Sequence, residues 1–126
     1  MRGRNRWTAV AVVAGALLVV SVIPVPGAVP EEGGGIPTSV LFHFLGYGTL
    51  TATLGLTVLD RSDRVQAAVT APSGSSAYGA LMECLQYPIP YRSFSYFDML
   101  VNAAGAMLGA VALFCALVLS ASDEHR

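Results

Sequence analysis

The side chains able to do chemistry are few, and most fall in one stretch. "ECLQYPIPYRSFSYFDMLVN", Glu83 to Asn102, holds the carboxylates Glu83 and Asp98, the guanidinium of Arg92 and the amides Gln86 and Asn102, with aromatic residues between them. Far upstream, "FHFLGYGTL" adds His43 and Tyr47. A carboxylate beside a histidine or a second carboxylate can handle protons or hold a polar ligand. An arginine fork can grip a phosphate or carboxylate headgroup, and amides orient ligands or join helices by hydrogen bonds. Other chemistries lack their residues. There is no phosphate loop, no dinucleotide-binding glycine pattern, no Ser-His-Asp order and no zinc signature. His43 has no spaced His or Cys partner, Cys84 and Cys115 lack metal-type spacing, and His125 sits in the polar tail. Neither a metal nor a cofactor is expected, and no residue is assigned as catalytic.

The elements that must position these groups follow from composition. The chain has 126 residues, enough for a single domain over 1–126, and is 54% hydrophobic and only 12% charged. A mean hydropathy of +0.60 and a net charge of −1 point to a membrane protein and away from nucleic acid. Four segments match a bilayer-crossing length of about 20 residues: helices are expected over 7–24, 39–59, 65–87 and 98–120. The first follows three arginines, so a signal peptide is the rival reading. Its long apolar core, and the lack of a prompt small-x-small cleavage site, favour a retained helix. The third carries Pro72, Gly74, several serines and Glu83, tolerable where neighbouring helices satisfy the backbone, and a kink at Pro72 is expected. Cys84 and Cys115 fall in apolar segments, where a buried, inert thiol is the default. The fold class is therefore all-α, an integral membrane bundle of four transmembrane helices. Arg2, Arg4, Arg6, Arg61, Arg64 and Arg126 share one side in this topology and Arg92 stands on the other. The positive-inside rule then puts both termini in the cytoplasm of a multi-pass cell-membrane protein.

Helical spacing places the polar groups. Steps of three and four put Pro72, Ser76, Gly79, Glu83 and Gln86 on one face of the third helix, and Asp98, Asn102, Gly105, Gly109, Ala112 and Ala116 on one face of the fourth. The second helix matches them with Ser39, His43, Gly46, Leu50, Thr53 and Thr57, and Tyr47 lies one turn beyond His43. Gly105 and Gly109 form a GxxxG pair that lets membrane helices approach closely, and Gly79 is a further packing position. Helices two to four should form the core, with the first peripheral. His43, Glu83, Gln86, Arg92, Asp98 and Asn102 then collect at the outer interface, ringed by tyrosines and phenylalanines. All but Gln86 have a structural alternative, which for Arg92 is to close the loop against Glu83 or Asp98. Glu83 can be a water-exposed helix end or pair with Arg92. Asp98 can be an N-cap, Asn102 an interhelical hydrogen-bonding residue, and His43 a neutral ring bonded to a neighbouring helix.

The same residues resemble those of the VanZ-like membrane proteins. Tyr78-Gly79, Glu83 to Gln86, Pro90 to Arg92, Ser95 to Asp98 and Asn102 to Gly105 follow that family's order, and His43, Tyr47 and Leu50 match its second-helix motif. The two blocks cover about a third of the chain. The chain departs from the family pattern at Ser39 and Val40, where Asp-Lys is frequent, and at Tyr91, where glycine is usual. The resemblance implies an integral membrane protein of a family linked in some members to glycopeptide, especially teicoplanin, resistance. The expected function is non-enzymatic binding of a lipid or amphipathic small molecule at the extracytoplasmic face. In that reading Arg92 meets the headgroup, Glu83, Gln86, Asp98 and Asn102 shape the pocket, and His43 and Tyr47 line its wall. Membrane lipids are the expected partners, alone or with a second copy of the chain. A membrane hydrolase or transferase on a lipid-linked substrate, and a structural or partner-binding bundle, are the alternatives. A transporter fits less well, because the ionisable groups gather at one end.

Overall fold

The computed structural model describes residues 2–24 and 35–123; the Glu31–Glu32 segment and the tail bearing His125 and Arg126 lie outside the described residues. Four helices follow one another: α1 (Arg2–Val22), α2 (Thr38–Leu59), α3 (Arg64–Gln86) and α4 (Tyr96–Asp123). Three of them, α1, α2 and α4, are long and apolar enough to cross a membrane. α3 is as long, at 23 residues, but its proline, glycines, serines and charged ends keep it out of that group. At 1.5 Å per residue α2 and α3 each extend roughly 33–35 Å.

The helix ends have local causes. α1 starts at Arg2, so the arginines ride on the helix, and it stops just before Pro24, whose ring disfavours helical backbone in the residue ahead of it. The Asp63 carboxylate caps α3 by accepting from the Gln66 amide at 2.8 Å. α3 then runs on without interruption through Pro72. At the start of α4 the capping expected of Asp98 falls to Ser95, whose hydroxyl accepts from the Asp98 amide at 3.2 Å. Asp98 instead sits in the first turn, where a carboxylate suits the positive end of the helix dipole. That shift moves the start of α4 forward to Tyr96.

The core lies among α2, α3 and α4, with α2 against α4 the largest contact and α1 leaning on α2 and, lightly, on α3. α2 and α4 run parallel, and α3 runs against both. Their backbones touch at one crossing. A Cβ on Gly105 would drive into the Phe44 carbonyl, and one on Gly109 into the Gly48 carbonyl. From the other side, a Cβ on Gly48 would stand 3.1 Å from the Gly105 oxygen. Of the expected stripes, Leu50, Thr57, Pro72, Gly79, Glu83, Gln86, Asn102, Gly105 and Gly109 are buried, His43, Gly46, Thr53, Ser76 and Asp98 are half-buried, and Ser39 is exposed. Ala112 and Ala116 are exposed, because at that level the packed face of α4 is carried by Leu113, which meets Gly55 on α2, and by Leu117, both half-buried.

The interior is small and polar while the surface is greasy. Thr51, Thr57, Ser75, Glu83, Gln86 and Asn102 are buried, whereas Phe42, Leu45, Leu81, Leu108, Val111 and Phe114 point outward. This inversion suits a hydrocarbon solvent, in which small residues and hydrogen bonds hold helices together. Cys84 and Cys115, expected to be buried, are both exposed, on the outer faces of α3 and α4.

The crossing gives a direct prediction. Gly105→Ala and Gly109→Ala should each lower the stability of the detergent-solubilised protein by about 1–3 kcal/mol, the range for overpacking. Gly15→Ala, which meets nothing within 4 Å, should be neutral or gain up to about 1 kcal/mol from helix propensity. Thermal unfolding followed by circular dichroism checks all three.

Candidate functional site

The polar residues collect at the end of the bundle nearest the α3–α4 loop. His43 sits one turn or so into α2, and its Nδ1 lies 2.9 Å from Asn102 Oδ1 on α4. With the amide oxygen accepting, Nδ1 carries the hydrogen and Nε2 is the basic nitrogen. Tyr47 stacks one turn further along, its ring centroid 6.3 Å from that of His43 and 6.4 Å from that of Tyr78 on α3. These rings and Asn102 meet over Gly79. A Cβ there would stand 3.0 Å from Asn102 Nδ2 and 3.1 Å from Tyr47 Cε1, so the glycine is what lets α3 close on the other two helices.

Glu83 completes the cluster. It is 0% exposed, and one carboxylate oxygen, Oε2, accepts from the Ser95 amide at 3.2 Å. It lies within charge–charge range of Asp98, His43 and Arg92. Neither structural alternative read from the sequence describes it: it is not exposed at a helix end, and it makes no ion pair with Arg92 among the described residues. Its second oxygen, Oε1, has no hydrogen-bond partner among the described residues, and the same holds for Tyr47 Oη and Asn102 Nδ2.

Gln86 and Arg92 serve another purpose. Arg92 Nη2 donates to the carbonyls of Val20 and Ile23 at 2.8 and 2.7 Å. Gln86 Nε2 donates to Ser21 O at 3.1 Å, Tyr91 Oη to Val22 O at 2.6 Å, and Tyr78 Oη to Ala14 O at 2.6 Å. The last carbonyls of a helix lack intrahelical donors, and here Gln86, Tyr91 and Arg92 supply them, while Tyr78 adds a bond to Ala14 in the body of α1. At the other end Arg6 ties α1 to α2 by donating to Leu56 O at 2.8 Å and pairing with Asp60 at 2.6 Å. α1 is thus pinned near both ends.

Between those pins α1 and α2 leave a cleft of about 430 Å³. Val12, Leu17 and Val20 form one wall and Phe42, Leu45 and Gly46 the other, with His43, Tyr47 and Ser21 contributing polar groups. The residues singled out in the sequence therefore divide. His43, Tyr47, Glu83 and Asn102 form a closed cluster with Asp98, half-buried, at its rim, and Gln86 and Arg92 belong to the clamp on α1. His43 and Tyr47 are the two that reach the cleft.

Sequence reasoning missed Ser95, Ser21, Tyr78 and Tyr91 as structural partners. Ser95-x-x-Asp98 has the spacing of a capping box and was legible. Nothing local marks the α1 carbonyls as acceptors for Tyr91 and Arg92, since backbone atoms have no signature in sequence. Among the described residues no group of three His, Cys, Asp or Glu side chains could hold a metal ion. No protein-family model matches the chain, and neither the curated proteins nor the solved structures yield a significant match.

The clamp carries its own test. Arg92→Ala should raise amide hydrogen exchange in the last turn of α1 on the order of tenfold or more, the equivalent of losing hydrogen bonds from a charged donor. Exchange in α2 and α4 should stay as in the unaltered protein. Mass-spectrometric exchange on protein in nanodiscs reads both.

Proposed function

We propose that this chain is a VanZ-like integral membrane protein of four spans, α3 included, that binds a lipid or an amphipathic small molecule at the extracytoplasmic membrane face. In this reading both termini are cytoplasmic and the α3–α4 loop faces outward. Tyr87, Tyr91, Tyr96 and Phe97 are exposed there, as interfacial aromatics are. The observation that carries the proposal is the cleft between α1 and α2. It runs from Val20, Ser21, Phe42 and His43 at the loop end to Val12 and Thr49. That is a depth of roughly 12–14 Å at 1.5 Å per residue, close to one leaflet of a hydrocarbon core about 30 Å thick. A single hydrocarbon chain would lie along its apolar walls, and the polar part of the same molecule would meet His43 and the Arg92 guanidinium at the mouth. Asn102 stands behind that wall and sets the orientation of His43, while Glu83 lies in the cluster behind it and Asp98 at that cluster's rim. Supply of a ligand from the bilayer requires no aqueous channel.

A structural bundle is the competing reading, favoured by the complete burial of Glu83 and Asn102 and by the engagement of Gln86 and Arg92 with α1. The two readings part in native mass spectrometry of protein released from its own membranes. Ligand binding predicts a defined adduct on the unaltered protein. Ala16→Phe, which fills the cleft from its exposed wall without touching the α2–α4 crossing, should abolish it, and Arg92→Ala should weaken it. Equal, nonspecific lipid adducts on all three proteins would support the structural reading instead.

A further inference from the structure

Behind the cleft wall the interior contains polar atoms that the ligand reading does not use. Tyr47 Oη, Thr51 Oγ1, Ser75 Oγ, Glu83 Oε1 and Asn102 Nδ2 are all buried without a hydrogen-bond partner among the described residues. They are not scattered. Glu83 and Asn102 lie at the loop end, Tyr47 one turn deeper, and Thr51 and Ser75 deeper again, on three helices that face one another. From His43 to Thr51 on α2, and from Glu83 to Ser75 on α3, the axial distance is about 12 Å. Other buried hydroxyls do not share this condition. Thr57 Oγ1 donates to Thr53 O at 2.7 Å, the back-bonding by which helical threonines meet their own needs. Thr51 and Ser75 are fully buried and make no such bond.

The row also has complementary chemistry. Asn102 Nδ2 can only donate, a Glu83 carboxylate oxygen can accept, and the three hydroxyls can do either. A water molecule, with two donors and two acceptors, satisfies that mixture where an apolar filler or a metal ion cannot, and buried waters take two to four such partners. The upper end stands one layer below solvent. Glu83 Oε2 accepts from the Ser95 amide, and Ser95, Asp98 and Arg92 are only half-buried. The groups facing Glu83 are His43 and Tyr47 from α2, Asp98 from α4 and Arg92 from the loop. Beyond Ser75 the next buried side chains of α3 are apolar, Pro72, Ala71 and Ala67.

We propose that α2, α3 and α4 enclose a column of bound water running from Glu83 past Tyr47 and Asn102 to Thr51 and Ser75, and that Glu83 exchanges protons with solvent at the α3–α4 loop through its upper end. In the exchange the Glu83 carboxyl passes its proton to a water at Oε1. That water releases a proton toward the half-buried Asp98 carboxylate and the solvent, and the reverse transfer restores the acid. The proposal does not rest on ligand binding in the cleft.

Infrared difference spectroscopy of the full chain in nanodiscs, between acidic and alkaline buffer, tests the exchange. A carboxyl C=O band that changes with pH, shifts down in D2O and disappears in Glu83→Gln is expected. No such band in the unaltered protein, or one that is unmoved by D2O or retained in Glu83→Gln, would overturn the proposal. Should Glu83→Gln fail to fold, Tyr47→Phe removes a single hydroxyl from the row and should slow the D2O shift. An unchanged rate would count against the relay. Water-edited solid-state NMR should show magnetisation passing from water to Tyr47, Thr51 and Ser75 but not to Leu50, buried at the same depth. Equal, negligible transfer to all four would mean a dry interior and end the idea.

Discussion

The arrangement depends on the contact between α2 and α4, where the backbones meet at Phe44 and Gly48 on one side and Gly105 and Gly109 on the other. In a hydrocarbon solvent apolar side chains gain little by leaving the surroundings for the protein interior, so association rests on close packing and interhelical hydrogen bonds. Glycine removes the side chain that would hold the axes apart. One turn from this crossing the separation is short enough for His43 and Asn102 to bond across it. That bond fixes the imidazole, and Tyr47 stacks below it. α3 then packs into the groove between the pair, using Gly79 as its own point of approach. The polar cluster follows from backbone proximity, which brings together side chains from distant parts of the sequence.

α1 joins this core by different means. It contributes little buried surface apart from Ser21 and is held by side chains that donate to its backbone carbonyls. Arg92, Tyr91 and Gln86 engage its last turn, Tyr78 engages Ala14 further back, and Arg6 reaches from its other end to α2. These ties reach α1 from α3 and the loop, and the α1–α2 seam stays open from Val12 to Ser21, where the cleft lies. The two modes have different sensitivities. Backbone packing fails when volume is added, whereas terminal hydrogen bonds fail when a donor is removed. α1 is therefore the element that single polar substitutions can loosen while the three-helix core persists.

Much of the architecture was legible because helical spacing is a strong constraint. The steps of three and four that aligned Gly79 with Glu83, and Asn102 with Gly105 and Gly109, describe faces that are buried. The same rule placed His43 and Tyr47 at the level of Glu83, and the structure brings all of them together. Two things escaped it. Burial was one: a carboxylate near a helix end reads as interfacial, and only the fold shows Ser95 and α4 closing over Glu83. Acceptors on the backbone were the other. The sequence suggests a carboxylate partner for Arg92, whereas its partners are the carbonyls of Val20 and Ile23, which any residues would have supplied. Thr51 and Ser75 escaped for a related reason: a hydroxyl in a membrane helix usually bonds within its own turn, and nothing local reveals that these do not.

Those two hydroxyls change the reading of the interior. With only the ionisable groups in view, polarity seems confined to one end, as suits a surface site. The unpartnered atoms extend it about 12 Å inward, toward the middle of the bundle. Leaving one buried polar group without a partner costs roughly 1–3 kcal/mol, and a domain's whole stability is commonly about 5–15 kcal/mol. Tyr47, Thr51, Ser75, Glu83 and Asn102 together would consume most or all of that margin if they were dry. A bundle that kept five such atoms in an anhydrous core would lose stability it could recover by exchanging them for alanine, valine and phenylalanine. In the proposed water column these groups find their partners, and the solvent above Ser95 and Asp98 is the nearest source.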